Sequence, residues 1–499
     1  MKEKFGYLPQ NQRRRIMLIC DDIRVHSGVA TVAREIVIHT AQHFNWVNLG
    51  GAINHPEAGK RFDLSQSTDE STGLTDSSVT LYPIHEYGNP DLLRQIIKLE
   101  KPDVIMLITD PRYFIWLFSM ENEIRKHIPI VYLNIWDDLP VCLYNLPYYE
   151  SCDMLLAISK QTKLINKLVL EHGNIPYRDL DKEKIEKNNF SKNKPSLKLL
   201  KYIPHGLNSE IFKPLDKNDS VLKEFKKTLF KGKEYDFAVL FNSRNIRRKQ
   251  IPDTILAYKY FIDTLSLEQA KKCVLVLHTD RVFDHGTDLE AVIELLVNEE
   301  QYNVIFTDAK FDSNQMNMLY NSTDCQILLT SNEGWGLSLT EAILSGNPII
   351  ANVTGGMQDQ MRFEDEEGNW FTPSPKIPYN HTGRYKKHGE WAFPVFPSTR
   401  TLVGSPPTPY IWDDICSPED AAKQISEVYN LTPEERKAKG LKGREWAIGD
   451  EAGFTSETQG KRVMEAFDEL FSNWKPREKF EFINTSEVKD KKINHNLVY

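Results

Sequence analysis

Two glutamates, Glu333 and Glu341, flank a glycine-rich loop and the start of a predicted helix. Ser338 suits the N-cap position and Glu341 follows three residues later, which is the spacing of a capping box. Gly346 and Pro348 predict where this helix ends. A helix start favours a phosphate, and nearby carboxylates can hold sugar hydroxyls. Taken alone, Glu341 has a plainer interpretation as a helix cap and Glu333 as a polar loop residue.

A cluster of cations follows the apolar run 237–240. Arg244 and Lys249 are five positions apart, with Arg247 and Arg248 between them. Cations directly after a predicted buried strand suit an anionic ligand, because open parallel sheets bind ligands beyond the carboxyl ends of their strands. A solvated basic loop is the alternative. We expect Arg247 and Arg248 to be exposed.

The combined pattern resembles the nucleotide-sugar glycosyltransferases of family 4, also called group 1, over residues 235–356. The residues that match the family's glutamate motif are Glu333, Gly334, Gly336, Leu337, Glu341, Ala342, Gly346 and Pro348, with Trp335 in place of a Phe. The resemblance implies that Glu333 binds the donor sugar and Glu341 the ribose of the nucleotide. It also implies that Arg244 and Lys249 bind the donor diphosphate.

Further donor-binding residues follow from the same resemblance. Gly355 and Gly356 come after the predicted strand 349–353, and adjacent glycines allow close approach of the backbone to a ligand. Gly28 opens a helix after the first strand, where the family's loop passes the diphosphate. No G-x-G-x-x-G accompanies Gly28, so an NAD-dependent dehydrogenase loses its best sequence argument. The loop residues also assigned to the donor are Gly334, Trp335, Gly336 and Leu337.

Two adjacent acids, Asp137 and Asp138, follow the predicted strand 130–134, where family members often have a His. They could bind a metal, orient an acceptor hydroxyl or act as its base, or cap the next element. We assign both, with Glu333, to catalysis. We expect no metal, because the cationic pair already neutralises the diphosphate.

Alternating apolar strands and helical segments predict doubly wound parallel α/β domains. At 499 residues the chain exceeds what one core usually supports. The resemblance implies the GT-B fold, with two Rossmann-like domains facing across a cleft. We predict an acceptor-side domain at 1–205, a nucleotide-sugar-binding domain at 206–460, and a crossover helix with a frayed tail at 461–499.

Individual elements of the first domain can be predicted from apolar spacing. The predicted strands are 15–20, 46–49, 79–82, 104–108, 130–134 and 154–158, and the first predicted helix is 29–44. Segments 51–78 and 179–198 are polar and are predicted as surface excursions. The Pro-rich segment 371–415 is predicted as an insertion near the cleft, and helices are predicted at 421–429 and 461–474.

Composition limits the kind of protein this can be. The six cysteines are far apart and form no paired motif, so we predict buried free thiols. No stretch approaches the ~20 apolar residues of a membrane span, and we expect a cytoplasmic protein without integral membrane contact. The net charge of −8 argues against a surface built wholly for nucleic acid.

The resemblance implies a retaining glycosyltransferase, hexosyltransferase-like and metal-independent, and with the residues above we predict that it moves a sugar from a nucleotide-diphosphate sugar to an unidentified acceptor hydroxyl. The nucleotide sugar is a substrate, and no cofactor is expected. The acceptor is left open among a glycan, a small molecule and a modified nucleic acid. The alternatives are a sugar-nucleotide epimerase or phosphorylase on the same fold, a DNA-base glycosyltransferase, and a non-catalytic sugar-nucleotide-binding protein.

Overall fold

The first sheet is built mainly from continuous apolar runs, as expected for parallel strands that are covered on both faces. The computed structural model describes residues 5–171, 198–307 and 310–477. The eight strands are β1 (Arg14–Asp21), β2 (Phe44–Gly51), β3 (Phe62–Asp63), β4 (Val79–Pro83), β5 (Val104–Ile108), β6 (Ile130–Asn134), β7 (Met154–Ala157) and β8 (Leu199–Tyr202). Their order is β3-β4-β2-β1-β5-β6-β7-β8, and the short β3 pairs antiparallel at one edge.

Helices cover this sheet, and their apolar faces complete its core. The first of them begins at Gly28 with Ser27 as its N-cap. The helices are Gly28–Thr40, Ser65–Thr72, Pro90–Glu100, Ile115–Phe118, Glu121–Ile124, Leu146–Glu150 and Lys160–Leu170. Short 3-10 turns are found at Gln10–Gln12, Pro111–Phe114 and Leu143–Asn145.

The second sheet is parallel throughout. Its strands are β9 (Phe237–Asn242), β10 (Cys273–His278), β11 (Val304–Phe306), β12 (Cys325–Leu328), β13 (Ile349–Asn352) and β14 (Ala392–Val395), in the order β11-β10-β9-β12-β13-β14. Around it lie a 3-10 turn at Arg247–Lys249 and the helices Ser220–Leu229, Ile251–Ile262, Leu267–Ala270, Leu289–Leu296, Ser313–Asn321, Leu337–Leu344, Met357–Met361, Pro418–Tyr429 and Pro433–Ile448. Two parallel α/β domains are therefore present, and the predicted fold class is confirmed.

The last described helix, Ser456–Asn473, returns to the first domain. The hydroxyl of Ser456, the first residue of this helix, donates a hydrogen bond to Glu35 Oε2 at 2.7 Å. The Phe467 ring packs against Phe44 with centroids 5.6 Å apart. A helix that starts in the second domain and packs on the first ties the two domains together.

A hairpin forms a second tie between the domains. It consists of β15 (Thr399–Ser405) and β16 (Thr408–Ile415). The Trp412 N–H donates to the Leu139 carbonyl at 2.9 Å, and the Tyr144 hydroxyl donates to the Tyr410 carbonyl at 2.8 Å. The hairpin therefore reaches from the second domain to loops of the first.

Several sequence predictions need correction. The first helix ends at Thr40 and not at residue 44, because Phe44 already starts β2. Segment 51–78 contains β3 and the helix Ser65–Thr72, so it is more than a surface excursion. Segment 371–415 is only partly an insertion, because β14 is a strand of the second sheet. Most of the predicted excursion 179–198 and the tail from 478 onward lie outside the described residues.

Other predictions hold. Strands β5 and β6 have the predicted bounds, and all six cysteines are free and buried. Within the described part of the chain, no helix combines the length and the apolarity needed to cross a membrane.

Candidate functional site

A cavity of about 1190 Å³ lies between the two domains. One wall consists of first-domain loops that follow β1, β2, β4, β5, β6, β7 and β8. The other wall consists of the loops that follow β9 and β12 and the start of the helix Leu337–Leu344. The cavity therefore lies where parallel sheets generally bind ligands, beyond the carboxyl ends of their strands.

Glu333 is the centre of a charged cluster in this cavity. Its Oε2 accepts hydrogen bonds from Lys249 Nζ and, at 3.0 Å, from Arg248 Nη1. Burial alone would raise the pKa of Glu333, but Lys249 and Arg248 outweigh it and lower this pKa to about 2. Burial lowers the pKa of Lys249, and Glu333 opposes that effect. Asp137 also acts on both cations, so this cluster is balanced in charge when Asp137 is ionised, and the exposed Arg244 adds a positive charge for an anionic ligand.

The cations occupy different environments. Arg248 was predicted to be exposed, and this is wrong: its side chain is 32% exposed and is held by Glu333 and the Asn332 carbonyl. Lys249 turns inward at the end of the 3-10 turn, immediately before Gln250 adopts a left-handed conformation with φ of 52°. Arg244 is exposed and lines the cavity.

The helix after the glycine-rich loop starts differently from the prediction. Its N-cap is Gly336, with φ of 87° and no side-chain hydrogen bond, so the capping box between Ser338 and Glu341 is not formed. Glu341 instead accepts hydrogen bonds from the Tyr320 hydroxyl at 2.7 Å and from Asn242 Nδ2 at 3.3 Å. Burial raises the pKa of Glu341 to about 7. Its carboxyl group lines the cavity and is not used as a cap.

Gly355 and Gly356 lie behind the glutamate loop and are not among the residues that line the cavity. A Cβ added to Gly355 would clash with the Glu333 carbonyl oxygen, and one added to Gly356 would clash with the Gly334 carbonyl oxygen. The Gly356 N–H donates to the Glu333 carbonyl at 3.0 Å. These glycines support the loop, while Gly334, Trp335, Gly336 and Leu337 line the cavity.

The loop after β1 brings Gly28 to the cavity. The Ser27 hydroxyl accepts from the Ala30 N–H at 3.0 Å and donates to Asp21 Oδ2 at 2.5 Å. A Cβ at Gly28 would lie 3.5 Å from Leu337 Cδ1, an ordinary contact. The N-terminal ends of helices Gly28–Thr40 and Leu337–Leu344 thus approach one another across the cavity.

The two adjacent acids are separated by the fold. Asp137 lines the cavity, and burial raises its pKa while Arg248 lowers it. Asp138 is 1% exposed and is not among the lining residues. It accepts from the Leu139 N–H at 2.7 Å and contacts Thr354 Oγ1 at 2.8 Å. Burial and Asp414 raise the pKa of Asp138 to about 7. The described residues contain no group of three His, Cys, Asp or Glu that could hold a metal.

Other lining residues were not assigned from the sequence. Among them are Asp21, Glu86, Tyr87, Tyr113, Asn242 and Arg248, and most of these lie within a few residues of a strand end. The ends of predicted parallel strands were therefore the available signal. His205, for which a turn or capping role was weighed, also lines the cavity; it is 5% exposed, and burial lowers its pKa to about 3.

Comparison with known proteins identifies what this arrangement resembles. Residues 223–377 match the family model described as glycosyl transferases group 1. The resemblance to group 1 glycosyltransferases is confirmed over these residues. This segment contains Arg244, Lys249, Glu333 and Glu341, and the match supports a glycosyltransferase. No curated protein sequence matches the chain.

Solved structures extend the similarity to the whole fold. Anabaena HepE in complex with UDP and glucose has 13% identity and a TM-score of 0.59, covering 92% of this chain and 100% of that one. Sucrose-phosphate synthase from Thermosynechococcus elongatus has 14% identity and a TM-score of 0.59, with the same coverage. An E. coli structure described as trehalose-6-phosphate bound with UDP-2-fluoro glucose has 12% identity and a TM-score of 0.58, covering 93% and 100%. The fold is GT-B.

Proposed function

We propose that this protein is a retaining glycosyltransferase that transfers a sugar from a nucleotide-diphosphate sugar to an acceptor hydroxyl. The observation that carries the proposal is the cluster of Glu333, Lys249 and Arg248 in the loops that follow β9 and β12, in a cavity shared by two domains. The group 1 family match over the same residues supports it. Neighbours of the same fold described with UDP and UDP-sugars support this class of donor.

The donor would lie along the second-domain wall. Glu341 and Asn242 supply an acceptor and a donor for the ribose hydroxyls. Arg244 and Lys249 would contact the diphosphate, and Arg248 would add charge beside them. Glu333 would hold both cations in place and accept hydrogen bonds from the donor sugar.

The reaction breaks the bond between the anomeric carbon and the diphosphate oxygen. Negative charge then develops on the leaving diphosphate, where preorganised cations and the backbone N–H groups of Leu337 and Ser338 stabilise it. The acceptor oxygen forms its bond to the same face of the anomeric carbon. Asp137 would orient the acceptor hydroxyl and take its proton, and it faces Arg248 across the cavity. Asp138 would stabilise the contact between the two domains through Thr354 instead.

A donor screen tests this proposal. UDP-, GDP- and ADP-sugars would first be ranked by thermal shift, and the best donor would then be incubated with a panel of acceptor alcohols and saccharides. The expected product carries a new glycosidic bond with the anomeric configuration of the donor, measured by NMR. Release of an epimerised nucleotide sugar, or of a sugar phosphate from added phosphate, would replace this proposal with an epimerase or a phosphorylase. Tight binding without any turnover would favour a sugar-nucleotide-binding protein.

A further inference from the structure

The two walls of the cavity differ in charge. The second-domain wall carries three cations that face the proposed diphosphate, Arg244, Arg248 and Lys249, and they outnumber its two carboxyl groups, Glu333 and Glu341. The first-domain wall carries the acids Asp21, Glu86 and Asp137, and no Lys or Arg is found among its lining residues in the described ranges. A ligand on the first-domain wall therefore meets carboxylates.

The arginines that are adjacent in sequence to lining residues of the first-domain wall do not cancel its negative charge. Arg24 precedes the lining residue Val25, and its guanidinium binds Asp22 at 2.7 Å. Arg112 precedes Tyr113, and its Nε donates to Asp110 Oδ1 at 2.8 Å. Each cation is neutralised by its own partner, so neither is available as a phosphate ligand on this wall.

Two aromatic rings complete the first-domain wall. Tyr87 and Tyr113 have centroids 4.7 Å apart, and Tyr113 is 55% exposed. The Tyr87 hydroxyl donates to Asp21 Oδ1 at 2.8 Å, which fixes the carboxylate beside the rings. An aromatic surface next to hydrogen-bond acceptors suits a sugar ring, whose C–H face is apolar and whose hydroxyls are donors.

One buried polar atom on this side of the cavity lacks a protein partner in the described part of the chain. His205 is 5% exposed, and its buried Nδ1 has no hydrogen-bond partner among the described residues. A buried polar atom normally has a hydrogen-bond partner, so the missing partner of His205 Nδ1 points to a ligand. The His205 ring stays neutral because burial lowers its pKa to about 3. It therefore adds hydrogen-bonding capacity without positive charge.

The backbone of the same wall is strained. Ala52, Glu86 and Thr109 have φ of 70°, 52° and 125°, and all three line the cavity. The Ala52 N–H donates to the Glu86 carbonyl at 3.1 Å, which holds two of them together. Non-glycine residues in such conformations concentrate at binding sites, where the surrounding structure holds them in place.

We propose that the acceptor is a neutral carbohydrate that binds on the first-domain wall against the rings of Tyr87 and Tyr113. Its hydroxyls are directed to the carboxylates of Asp21, Glu86 and Asp137. These carboxylates exclude a phosphorylated sugar. This inference rests on the proposed function and specifies its acceptor. Like charges brought together across a binding surface are strongly unfavourable, which is how such a wall selects against a phosphate.

The test uses the full-length protein with its best nucleotide-sugar donor. Acceptors are compared in matched pairs of mono- and disaccharides, each with and without a phosphate ester. At least one neutral member is expected to be used, and its phosphorylated counterpart is expected to have a kcat/KM at least tenfold lower. Tyr113→Ala is expected to raise the KM for the neutral acceptor tenfold or more, with donor binding unchanged. Phe5→Ala removes an exposed ring outside the cavity and should change neither value.

A charge reversal completes the test. Glu86→Lys is expected to improve kcat/KM for the phosphorylated member relative to the neutral one by tenfold. Preferred use of phosphorylated acceptors by the unmodified protein, or no effect of Glu86→Lys on that preference, would overturn the acceptor proposal. The same is true if no saccharide of the panel is used while a nucleotide sugar still binds. Absence of binding to any nucleotide sugar would instead overturn the proposed function and this inference together.

Discussion

Lys249 is nearly fully buried although it carries a charge, and such a side chain is tolerated only with a close partner. Glu333 is that partner, and the proposed diphosphate would be a second one. The neighbouring Arg247 is exposed and does not line the cavity. The 3-10 turn therefore offers a functional cation and a control cation two residues apart.

Replacing Lys249 should weaken donor binding. Lys249→Ala removes a charge-assisted contact to phosphate, and we expect a loss of about 1.5–3 kcal/mol in donor affinity by calorimetry. Arg244→Ala should give a smaller loss in the same direction, since Arg244 is exposed and solvent screens its charge. The Arg247→Ala control should bind the donor as the unmodified protein does. Unchanged donor affinity and turnover in both the Lys249 and Arg244 variants would refute the diphosphate assignment.

Glu341 should make nucleotide affinity depend on pH near neutrality. Burial raises its pKa to about 7, so the group is mostly protonated at pH 6 and mostly ionised at pH 8. The ionised carboxylate accepts two hydroxyl donors, and nucleotide affinity should therefore rise by several-fold from pH 6 to pH 8. In Glu341→Gln, affinity should be lower at pH 8 and nearly flat with pH. A steep pH profile that persists in this variant would assign the titration to another group.

The same shift has a consequence for folding. A carboxyl group whose pKa is raised in the folded state favours folding while it is protonated, and this contribution is lost as pH rises from the unfolded value towards 7. Glu341→Gln cannot ionise. Its stability relative to the unmodified protein should therefore be greater at pH 8 than at pH 5, as measured by the midpoint of denaturant unfolding.

At the scale of elements, the glutamate loop depends on close backbone packing. Gly356 has an ordinary φ of −75°, so alanine there is not strained by conformation. Its Cβ would nevertheless clash with the Gly334 carbonyl oxygen. Gly356→Ala should move the loop, lower the free energy of unfolding by about 1–3 kcal/mol, and reduce turnover because Glu333 moves with the loop. Gly28→Ala is the comparison for stability, because its Cβ makes an ordinary 3.5 Å contact and Tm should change little. Equal Tm values for the two variants would contradict this role of Gly356.

The elements could be predicted where local sequence decides them. Strands β5 and β6 are uninterrupted apolar runs, and burial on both faces requires such runs in a parallel sheet. The end of the first helix was misplaced because its apolar spacing continues into Phe44, which the sheet recruits. The capping box failed for a similar reason, since the packed loop places Gly336 at the helix start. Tertiary contacts decided both outcomes.

The residues of the site could likewise be predicted only where local sequence decides their position. Glu333, Glu341 and Lys249 belong to short sequence motifs, and the structure places all three at the cavity, while their roles stay predictions. Arg248 was expected to be exposed, and contacts with Glu333, 85 positions away, and with the Asn332 carbonyl draw it inward. Tyr87 and Tyr113 come from loops after different strands, so only the order of strands in the sheet brings their rings together.

At the scale of the whole molecule, a buried carboxyl pair joins the domains. The Thr354 hydroxyl lies 2.8 Å from Asp138 Oδ2 and 2.6 Å from Asp414 Oδ2. One hydroxyl has a single proton to donate, so the second contact needs a proton on one carboxyl group. Arg400 binds Asp414, which leaves Asp138 as the protonated partner. Burial and Asp414 raise the pKa of Asp138 to about 7, consistent with this assignment.

The interdomain contact should therefore weaken as pH rises. Ionisation of Asp138 would bring a second negative charge against Asp414, and Arg400 is already paired with that carboxylate. Small-angle scattering should show a larger radius of gyration at pH 8.5 than at pH 6. In Asp138→Asn, which cannot ionise, the radius should be independent of pH. A change with pH that is equal in both proteins would exclude Asp138 as its source.

Metal independence is the last expected property, and it follows from the charges that surround the whole cavity. The diphosphate leaving group needs compensation for its negative charge, and Arg244, Arg248, Lys249 and the N-terminal end of the helix Leu337–Leu344 face the space where it would lie. Asp137 and Asp138 are the two adjacent acids that could have formed a metal site. Asp138 is buried in the interdomain contact, so it cannot serve as a second ligand beside Asp137. Transfer should therefore continue at an unchanged rate in excess EDTA, measured as product formed per unit time. Activity that is lost in chelator, restored by manganese or magnesium and abolished by Asp137→Asn would instead show that a metal ion at the first-domain wall carries part of the leaving-group charge.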